Sequence, residues 1–478
     1  MRILHLGSGF RPWRRGGLVA YVEDLMAAQV RRGHEVAYFF AGRQYPWLRR
    51  PRLRRWERGG IAMLEVVNSP LYDHGRQPAL ELGEPRIERM LATVLRGYHP
   101  DVAHVQELAG LPSSVLEVVR AAGVPAVMTL QDYFALCATF KLFDAGGRVC
   151  LREEIGADCV ATTAADQRDP GLLFEATVRH DAWYWDLLRR VPEERRTEMV
   201  GRWGEFGAQH ALPRLGERRR PAGPALAAAY QRRRDVNVAR LNRVDRLIAM
   251  SHRVAEIYAI LGVEEQRLRT LGLTLAHLEG LRPRRPRIGG PVTFASLAAF
   301  ESEAKGGRLL LDAVRRLDET GCAGRFRVLV FGAIEPALAR AAEGIAGLEI
   351  RGPYWPDQLD GLLEPVDIGL MTSIWEEAYG YAGVEFLAKG IPVIANAIGG
   401  MPEYTREGET GWLNHSCSAE GLARLMRGVI EEPDRIARLN AWLRAHRDSV
   451  IKPIGAHADE MDEVYREVIA GAGPPVAR

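Results

Sequence analysis

The sequence predicts an α/β protein of two domains, each built on a parallel, doubly wound sheet. Three observations carry that reading. The chain has 478 residues, too many for one hydrophobic core, so two domains of about 200 residues each are expected. Short apolar runs alternate with helical periodicity from Arg2 to Leu130 and again from Val292 to Met371, the pattern of βαβ units. Glycines stand where these strands hand over to helices, as at Gly7-Ser8-Gly9, Gly16-Gly17, Gly306-Gly307 and Gly332.

Composition narrows the class. Apolar residues make up 47% of the chain and charged residues 26%, as in soluble globular proteins. No run reaches the roughly 20 apolar residues of a membrane span. The net charge of +3 is small for this length, and no motif points to nucleic acid, which is not an expected partner. Five cysteines form an odd, sparse set that fits a reducing cytoplasm. The opening MRILHLGSG runs directly into a strand and a glycine turn, so no signal peptide is expected.

The first domain begins with a strand at Arg2–Leu6, a glycine turn, the basic loop Arg11-Pro12-Trp13-Arg14-Arg15 and Gly16-Gly17. A helix follows, with Val19, Val22, Leu25 and Met26 on one face, and then a strand at Glu35–Phe40. The glycines resemble a phosphate loop but lack the three-glycine spacing of the dinucleotide fingerprint. Gln44–Arg58, rich in Arg, Pro and Trp, reads as an exposed loop. Strands are expected at Ile61–Val67, Asp101–Val105 and Pro125–Leu130, with helices at Pro85–Leu95 and Leu116–Ala122 between them. Ligands of such sheets sit at the carboxyl ends of strands, which places Gly16-Gly17, His104, Gln106 and Gln131-Asp132 near one cleft.

Cys137, Cys150 and Cys159 follow in a loop, too widely spaced for paired CxxC zinc ligands. They read as free thiols of a structural loop, or as part of a metal site completed by a distant His. From about 169 to 243 the strands disappear. Helical patterns appear at Leu172–Leu188, Glu193–His210 and Ala225–Asn242, with basic runs at Arg214–Arg220 and Arg232–Arg234. This segment reads as a helical insertion. Its aromatic and basic residues suit a membrane surface or an anionic acceptor, and a solvated lid is the plainer reading. The strand Arg246–Met250, the helix Arg253–Leu261 and a Pro- and Arg-rich linker near Gly280–Gly290 close the first domain.

The second domain has strands at Val292–Leu297, Arg327–Phe331, Leu348–Arg351 and Asp367–Met371, and a final helix at Ala456–Ile469. Its centre is the stretch Ser373–Trp412. Glu377 and Glu385 bracket Gly380, where a helix begins, and Gly390-Ile391-Pro392 ends that helix before the buried strand Val393–Ala395. Free N–H groups and the positive end of the helix dipole make such a start an anion site.

These residues resemble a known family. Glu377 with Glu385 eight positions later looks like the EX7E signature of retaining glycosyltransferases of family 4. Gly390-Ile391-Pro392-Val393-Ile394, Gly399-Gly400-Met401-Pro402-Glu403, Gly408-Glu409-Thr410-Gly411, Lys305-Gly306, Gly16-Gly17, Arg32-Gly33-His34-Glu35-Val36 and Pro100-Asp101-Val102-Ala103-His104 extend the resemblance over all but the insertion. It implies a GT-B fold, with two Rossmann-like domains facing across a cleft. Residues 1–280, with the insertion and a returning C-terminal helix at 451–478, would form the acceptor domain, and 281–450 the donor domain.

The resemblance also implies a retaining, metal-independent, hexosyltransferase-like enzyme of carbohydrate biosynthesis; the cysteine usage adds the expectation of a cytoplasmic location, and the composition of the basic insertion that of a route to peripheral membrane contact. The donor would be a UDP-, GDP-, ADP- or dTDP-linked sugar, serving as co-substrate without a further cofactor or a metal. The acceptor would be a hydroxyl on a glycan, a lipid-linked sugar or a small natural product. By the same resemblance, Lys305 meets the diphosphate, Glu377 the donor sugar and Glu385 the ribose. Gly380, Tyr381 and Ala382 supply helix-start groups to the phosphates. Gly16-Gly17 closes over them and Tyr354 lies near the base.

Two departures stand out. Phe300 occupies the place of an arginine that pairs with the diphosphate, and Arg14, Arg15 or another basic residue would have to compensate. Gln131 stands where the family has a histidine near the reacting centre, and Gln cannot carry a proton or a charge. A non-catalytic nucleotide- or glycan-binding GT-B partner and a pseudo-glycosyltransferase are therefore alternatives.

Overall fold

The computed structural model describes residues 1–11, 14, 16–43, 50–71, 74–165, 223–285 and 289–471. It divides into two compact units. The first comprises Met1–Ala249, Ala255–Leu271 and Ala458–Arg478, and the second Met250–Val254 and Gly272–His457.

The first unit holds an eight-stranded sheet. Its strands are β1 (Arg2–Ser8), β2 (Glu35–Ala41), β3 (Arg52–Arg58), β4 (Ile61–Val67), β5 (Val102–Val105), β6 (Ala126–Leu130), β7 (Arg246–Ala249) and β8 (Leu268–Thr270). They lie in the order β3-β4-β2-β1-β5-β6-β7-β8. Every pair is parallel except β3 with β4. Central strands are buried along their length, as in β1 and β2, and this is why they read as unbroken apolar runs. The antiparallel β3 corrects the loop expected at Gln44–Arg58, although residues 44–49 lie outside the described residues. Arg52, Arg54, Arg55, Glu57 and Arg58 are exposed on it. An edge strand protected by charge has no apolar alternation to reveal it.

The helices expected at Leu172–Leu188 and Glu193–His210, and the run Arg214–Arg220, lie outside the described residues. The third helix of that segment, Pro224–Leu241, is present, and two of its three consecutive arginines are not solvated. Arg233 and Arg234 are buried. Arg233 pairs with Glu81 at 2.5 Å and donates to Phe134 O at 2.6 Å. Arg234 donates to Leu136 O at 2.9 Å and Asn237 to Ala135 O at 2.8 Å. The loop after β6 carries main-chain oxygens that need donors, and long polar side chains from this helix supply them.

The second unit holds six parallel strands: β9 (Val292–Ser296), β10 (Phe326–Phe331), β11 (Leu348–Gly352), β12 (Ile368–Met371), β13 (Val393–Asn396) and β14 (Gly411–Asn414). Their order is β11-β10-β9-β12-β13-β14. Phe294, Leu310, Val314, Val328, Val330, Ile368, Leu370 and Met426 form its core. Phe300 is buried in the same cluster. It packs as a core residue, so no side chain at this position is available to a diphosphate.

Both sheets reverse their order of winding at one place, between β1 and β5 in the first unit and between β9 and β12 in the second. A crevice opens outside the carboxyl ends of strands at such a switch point. Among the described residues no helix is long and apolar enough to cross a membrane.

Candidate active site

In the second unit, the loop after β9 reaches the loop after β12. Gly306 makes the approach possible. Its φ is 80°, and a Cβ there would stand 1.9 Å from Thr372 O, so only glycine fits. Two bonds fasten the approach: Thr372 Oγ1 donates to Lys305 O at 2.8 Å and Ile374 N donates to Ala304 O at 2.9 Å. Asn396 Nδ2 donates to Thr372 O and Ser373 O at 3.0 and 3.1 Å, and Asn414 Nδ2 donates to Asn396 Oδ1 at 2.8 Å. The strand ends are thereby tied together.

This frame presents Lys305 to Glu377. The ammonium lies 3.0 and 2.8 Å from the two carboxylate oxygens. Ser373 Oγ donates to the same carboxylate at 2.9 Å, and the Trp375 ring centroid is 5.3 Å from the ammonium. Burial works against the lysine charge, but the charges of Glu377 and Glu301 and the hydrogen bond to Glu377 outweigh it and raise its pKa.

Glu377 is itself held from behind. Gly400 N donates to Glu377 O at 2.7 Å, and a Cβ at Gly399 would lie 2.3 Å from that oxygen. The neighbouring Glu376 accepts from Gly399 N at 3.1 Å and from Arg253 at 2.5 and 3.0 Å. The glycine pair is therefore a packing necessity against the Glu376–Ala378 backbone.

Gly380 starts the helix Tyr381–Ala388 with φ 82°. No acidic residue stands in the first turn of that helix, so the N–H groups around Tyr381 and Ala382 face no built-in carboxylate there. Tyr404 packs beneath the turn. A Cβ at Gly383 would meet its ring at 2.3 Å, and one at Gly380 would meet its hydroxyl at 2.9 Å. Tyr379 crosses both Tyr381 and Tyr404 edge to face, at 5.9 and 5.8 Å. The Tyr404 hydroxyl has no hydrogen-bond partner among the described residues.

Glu385 sits on the same helix and pairs with His277 Nε2 at 2.8 Å. Tyr354 follows β11 and meets Phe331 edge to face at 6.3 Å. Burial, then the charges of Glu385 and Glu301, push its hydroxyl far up, so it stays protonated. Lys305, Tyr354, Glu377, Gly380, Tyr381, Ala382 and Glu385 thus all lie in the second unit.

In the first unit, Gly16 precedes the helix Gly17–Arg31 with φ 119°. Arg14 donates to both oxygens of Glu107 at 2.5 and 2.7 Å and to Ser8 O at 2.8 Å. It is committed within its own unit, which argues against Arg14 as the replacement for a diphosphate arginine; Arg15 lies outside the described residues. Gln131 is buried at the end of β6, with its nitrogen 3.1 Å from Gln106 Oε1. Burial and the Glu107 charge push the adjacent Asp132 up to about 7. His104 is wholly buried and does not face the crevice as expected. Its ring bonds to Tyr465 and Thr129, both at 2.7 Å. Cys137, Cys150 and Cys159 are free thiols lining one small cavity. Burial pushes Cys159 up to about 12. Among the described residues no group of three or more His, Cys, Asp or Glu side chains is arranged to hold a metal.

Sequence reasoning missed His277, Arg253 and Ser373 as partners of the three glutamates. His277 and Arg253 lie more than a hundred positions away from their partners, and no local pattern marks them. Ser373 stands four residues before Glu377, and that proximity was the one available signal.

Residues 16–170 match the family described as Glycosyl transferase 4-like domain, and residues 281–444 match Glycosyl transferases group 1. The D-inositol 3-phosphate glycosyltransferase of Corynebacterium aurimucosum is 30% identical over 175 residues, which is 35% of this chain and 41% of that one. The chain therefore matches less than half the length of this curated relative. Among solved structures, sucrose-phosphate synthase from Thermosynechococcus elongatus superposes with a TM-score of 0.61 at 14% identity, covering 98% of this chain and all of the other. Anabaena HepE in complex with UDP-glucose gives 0.58 at 14% identity, over 97% of this chain and 100% of that one. The fold is GT-B, built from a glycosyl transferase 4-like domain and a glycosyl transferases group 1 domain.

Proposed function

We propose that the protein is a retaining glycosyltransferase that moves a sugar from a nucleoside diphosphate to a hydroxyl acceptor without a metal. The observation that carries this reading is the Lys305–Glu377–Ser373 cluster at the switch point of the second sheet, beside the helix started by Gly380. The leaving group is a diphosphate, and its developing charge needs fixed positive partners more than a protein nucleophile. An ammonium has three donors; Glu377 engages Lys305 here, and the diphosphate competes for the rest. Helix-start N–H groups at Tyr381 and Ala382 add dipoles. Glu377 orients hydroxyls of the donor sugar and Glu385 those of the ribose, with Tyr354 near the base.

The bond from the anomeric carbon to the phosphate oxygen breaks as the acceptor oxygen attacks from the same face. The acceptor proton passes to the leaving phosphate oxygen, so no side chain is assigned as base. UDP-linked sugars are the first donors to test, because HepE was solved with UDP-glucose.

Thermal shift with UDP, GDP, ADP and dTDP selects the nucleotide. Donor hydrolysis is then followed in wild type, Glu385→Ala and Glu377→Ala. Glu385→Ala should weaken nucleotide binding, and Glu377→Ala should reduce turnover more than binding. Wild-type turnover in both variants would overturn the assignment. Gln131 and the buried Phe300 favour a second reading, a nucleotide-binding partner without turnover; binding with no hydrolysis of any donor would establish it.

A further inference from the structure

Behind Gln131 lies a chain of buried polar side chains drawn from β1, β5, β6 and the first and last helices of the first unit. Its hydrogen-bond direction follows from one fixed point. Gln131 Nε2 is 3.4 Å from the main-chain oxygen of Gln106 and 3.1 Å from Gln106 Oε1. A main-chain carbonyl only accepts, so the nitrogen of Gln131 faces Gln106 and its Oε1 faces away. With Gln106 Oε1 used as an acceptor, Gln106 Nε2 donates to His5 Nδ1 at 3.1 Å. His5 then carries its proton on Nε2 and donates to Gln29 Oε1 at 2.7 Å. Gln29 Nε2 donates to Tyr465 OH at 3.1 Å, and Tyr465 donates to His104 Nδ1 at 2.7 Å. His104 Nε2 gives the last proton to Thr129 Oγ1 at 2.7 Å.

Each link of this chain agrees in direction, Gln106 Nε2 gives its second proton to His104 Nδ1 at 3.0 Å with the protonated His104 Nε2 beside it at 3.3 Å, and each of these side chains is at most 8% exposed. Burial holds His5 neutral, with its pKa lowered to about 4, so the direction does not reverse near neutral pH. The one acceptor left over is Gln131 Oε1, which is buried and has no partner among the described residues. A buried polar atom without a partner costs about 1–3 kcal/mol, and such atoms concentrate where a function uses them.

We propose that Gln106, held through His5, Gln29 and Tyr465, is a positioning residue that keeps Gln131 as a hydrogen-bond acceptor only. The first unit thereby selects a ligand that presents a hydroxyl donor at the end of β6. A histidine in this place could donate or carry charge, whereas this chain cannot do either. The inference rests on the transferase reading proposed above.

The test uses the full chain and three variants, Gln106→Leu, Tyr465→Phe and Gln131→Leu. The donor is whichever of UDP-glucose, UDP-galactose, GDP-mannose, ADP-glucose and dTDP-glucose wild type hydrolyses fastest. Each single variant is expected to lower kcat about tenfold and leave the Kd of the free nucleoside diphosphate unchanged. Gln131→Leu on top of Gln106→Leu should add less than twofold, since both act through one oxygen. Losses that multiply, or a kcat that Gln106→Leu leaves intact, would overturn the proposal. Hydrogen exchange of the Gln131 side-chain amide, followed by NMR, decides the positioning independently of turnover. It should be slow in wild type and at least tenfold faster in Gln106→Leu and Tyr465→Phe; equal rates would overturn the proposal. A failure of the transferase reading would show instead as no hydrolysis of any donor by wild type.

Discussion

Lys305 and Glu377 form a two-oxygen ion pair, at 2.8 and 3.0 Å, across the switch point of the second sheet. The arrangement makes the two residues competitors as well as partners. A carboxylate that neutralises the lysine reduces what the lysine offers a diphosphate. Glu377→Gln keeps the shape and the bond from Ser373 while releasing the ammonium. It should tighten UDP binding about fivefold, the equivalent of about 1 kcal/mol, and reduce kcat by about 100-fold through loss of the sugar contact. Lys305→Ala should weaken UDP at least tenfold. Calorimetry on both variants checks this, and weaker UDP binding by Glu377→Gln would contradict it.

Gly383 is defined by Tyr404, whose ring stands 2.3 Å from where a Cβ would be. Gly383→Ala should cost about 1–3 kcal/mol through overpacking. Adding Tyr404→Val should recover most of that loss. Denaturant unfolding of the single and double variants measures both, and an unaltered midpoint in Gly383→Ala would count against the packing.

Arg233 lies buried against Glu81 at 2.5 Å, whereas its neighbour Arg232 is exposed. Arg233→Met leaves a buried carboxylate unpaired and should cost about 3–5 kcal/mol. Arg232→Met should stay within about 0.5 kcal/mol of wild type. Deleting the segment through Arg234 would therefore unseat the loop after β6, and effects on acceptor use would be confounded with folding. Melting curves of the two point variants distinguish a structural arginine from a solvated one.

Asp132 ties stability to pH. Burial and the Glu107 charge raise its carboxyl to about 7 in the folded chain, against about 3.9 when unfolded. Between these values the folded state holds a proton that the unfolded chain releases. The resulting stability is full below about pH 4 and is lost as pH rises through 7. Asp132→Asn removes the loss, so its Tm should exceed that of wild type by about 3 °C at pH 8, with no such gain at pH 4. A gain of equal size at both values would exclude Asp132 as the source.

Much of this protein was legible in its sequence because strongly patterned segments report themselves. The buried strands of both sheets appear as apolar runs, and Gly380 marks a helix start because only glycine accepts its φ of 82° at no cost. Segments without such a pattern were silent. The edge strand Arg52–Arg58 pairs antiparallel with β4, and charge on its side chains hides it.

The tertiary structure decided what each charge is for. Arg233 and Arg234 read as a solvated face and are instead the donors that satisfy a buried loop. His104 read as a cleft residue and belongs to an interior chain that ends at Gln131. Lys305 and Glu377, 72 positions apart, read as separate ligand contacts and hold each other. Local periodicity fixes which residues face a core, because burial follows helix and strand geometry. The partner of a polar atom is set by which distant loop arrives beside it, and that depends on how the sheets are wound.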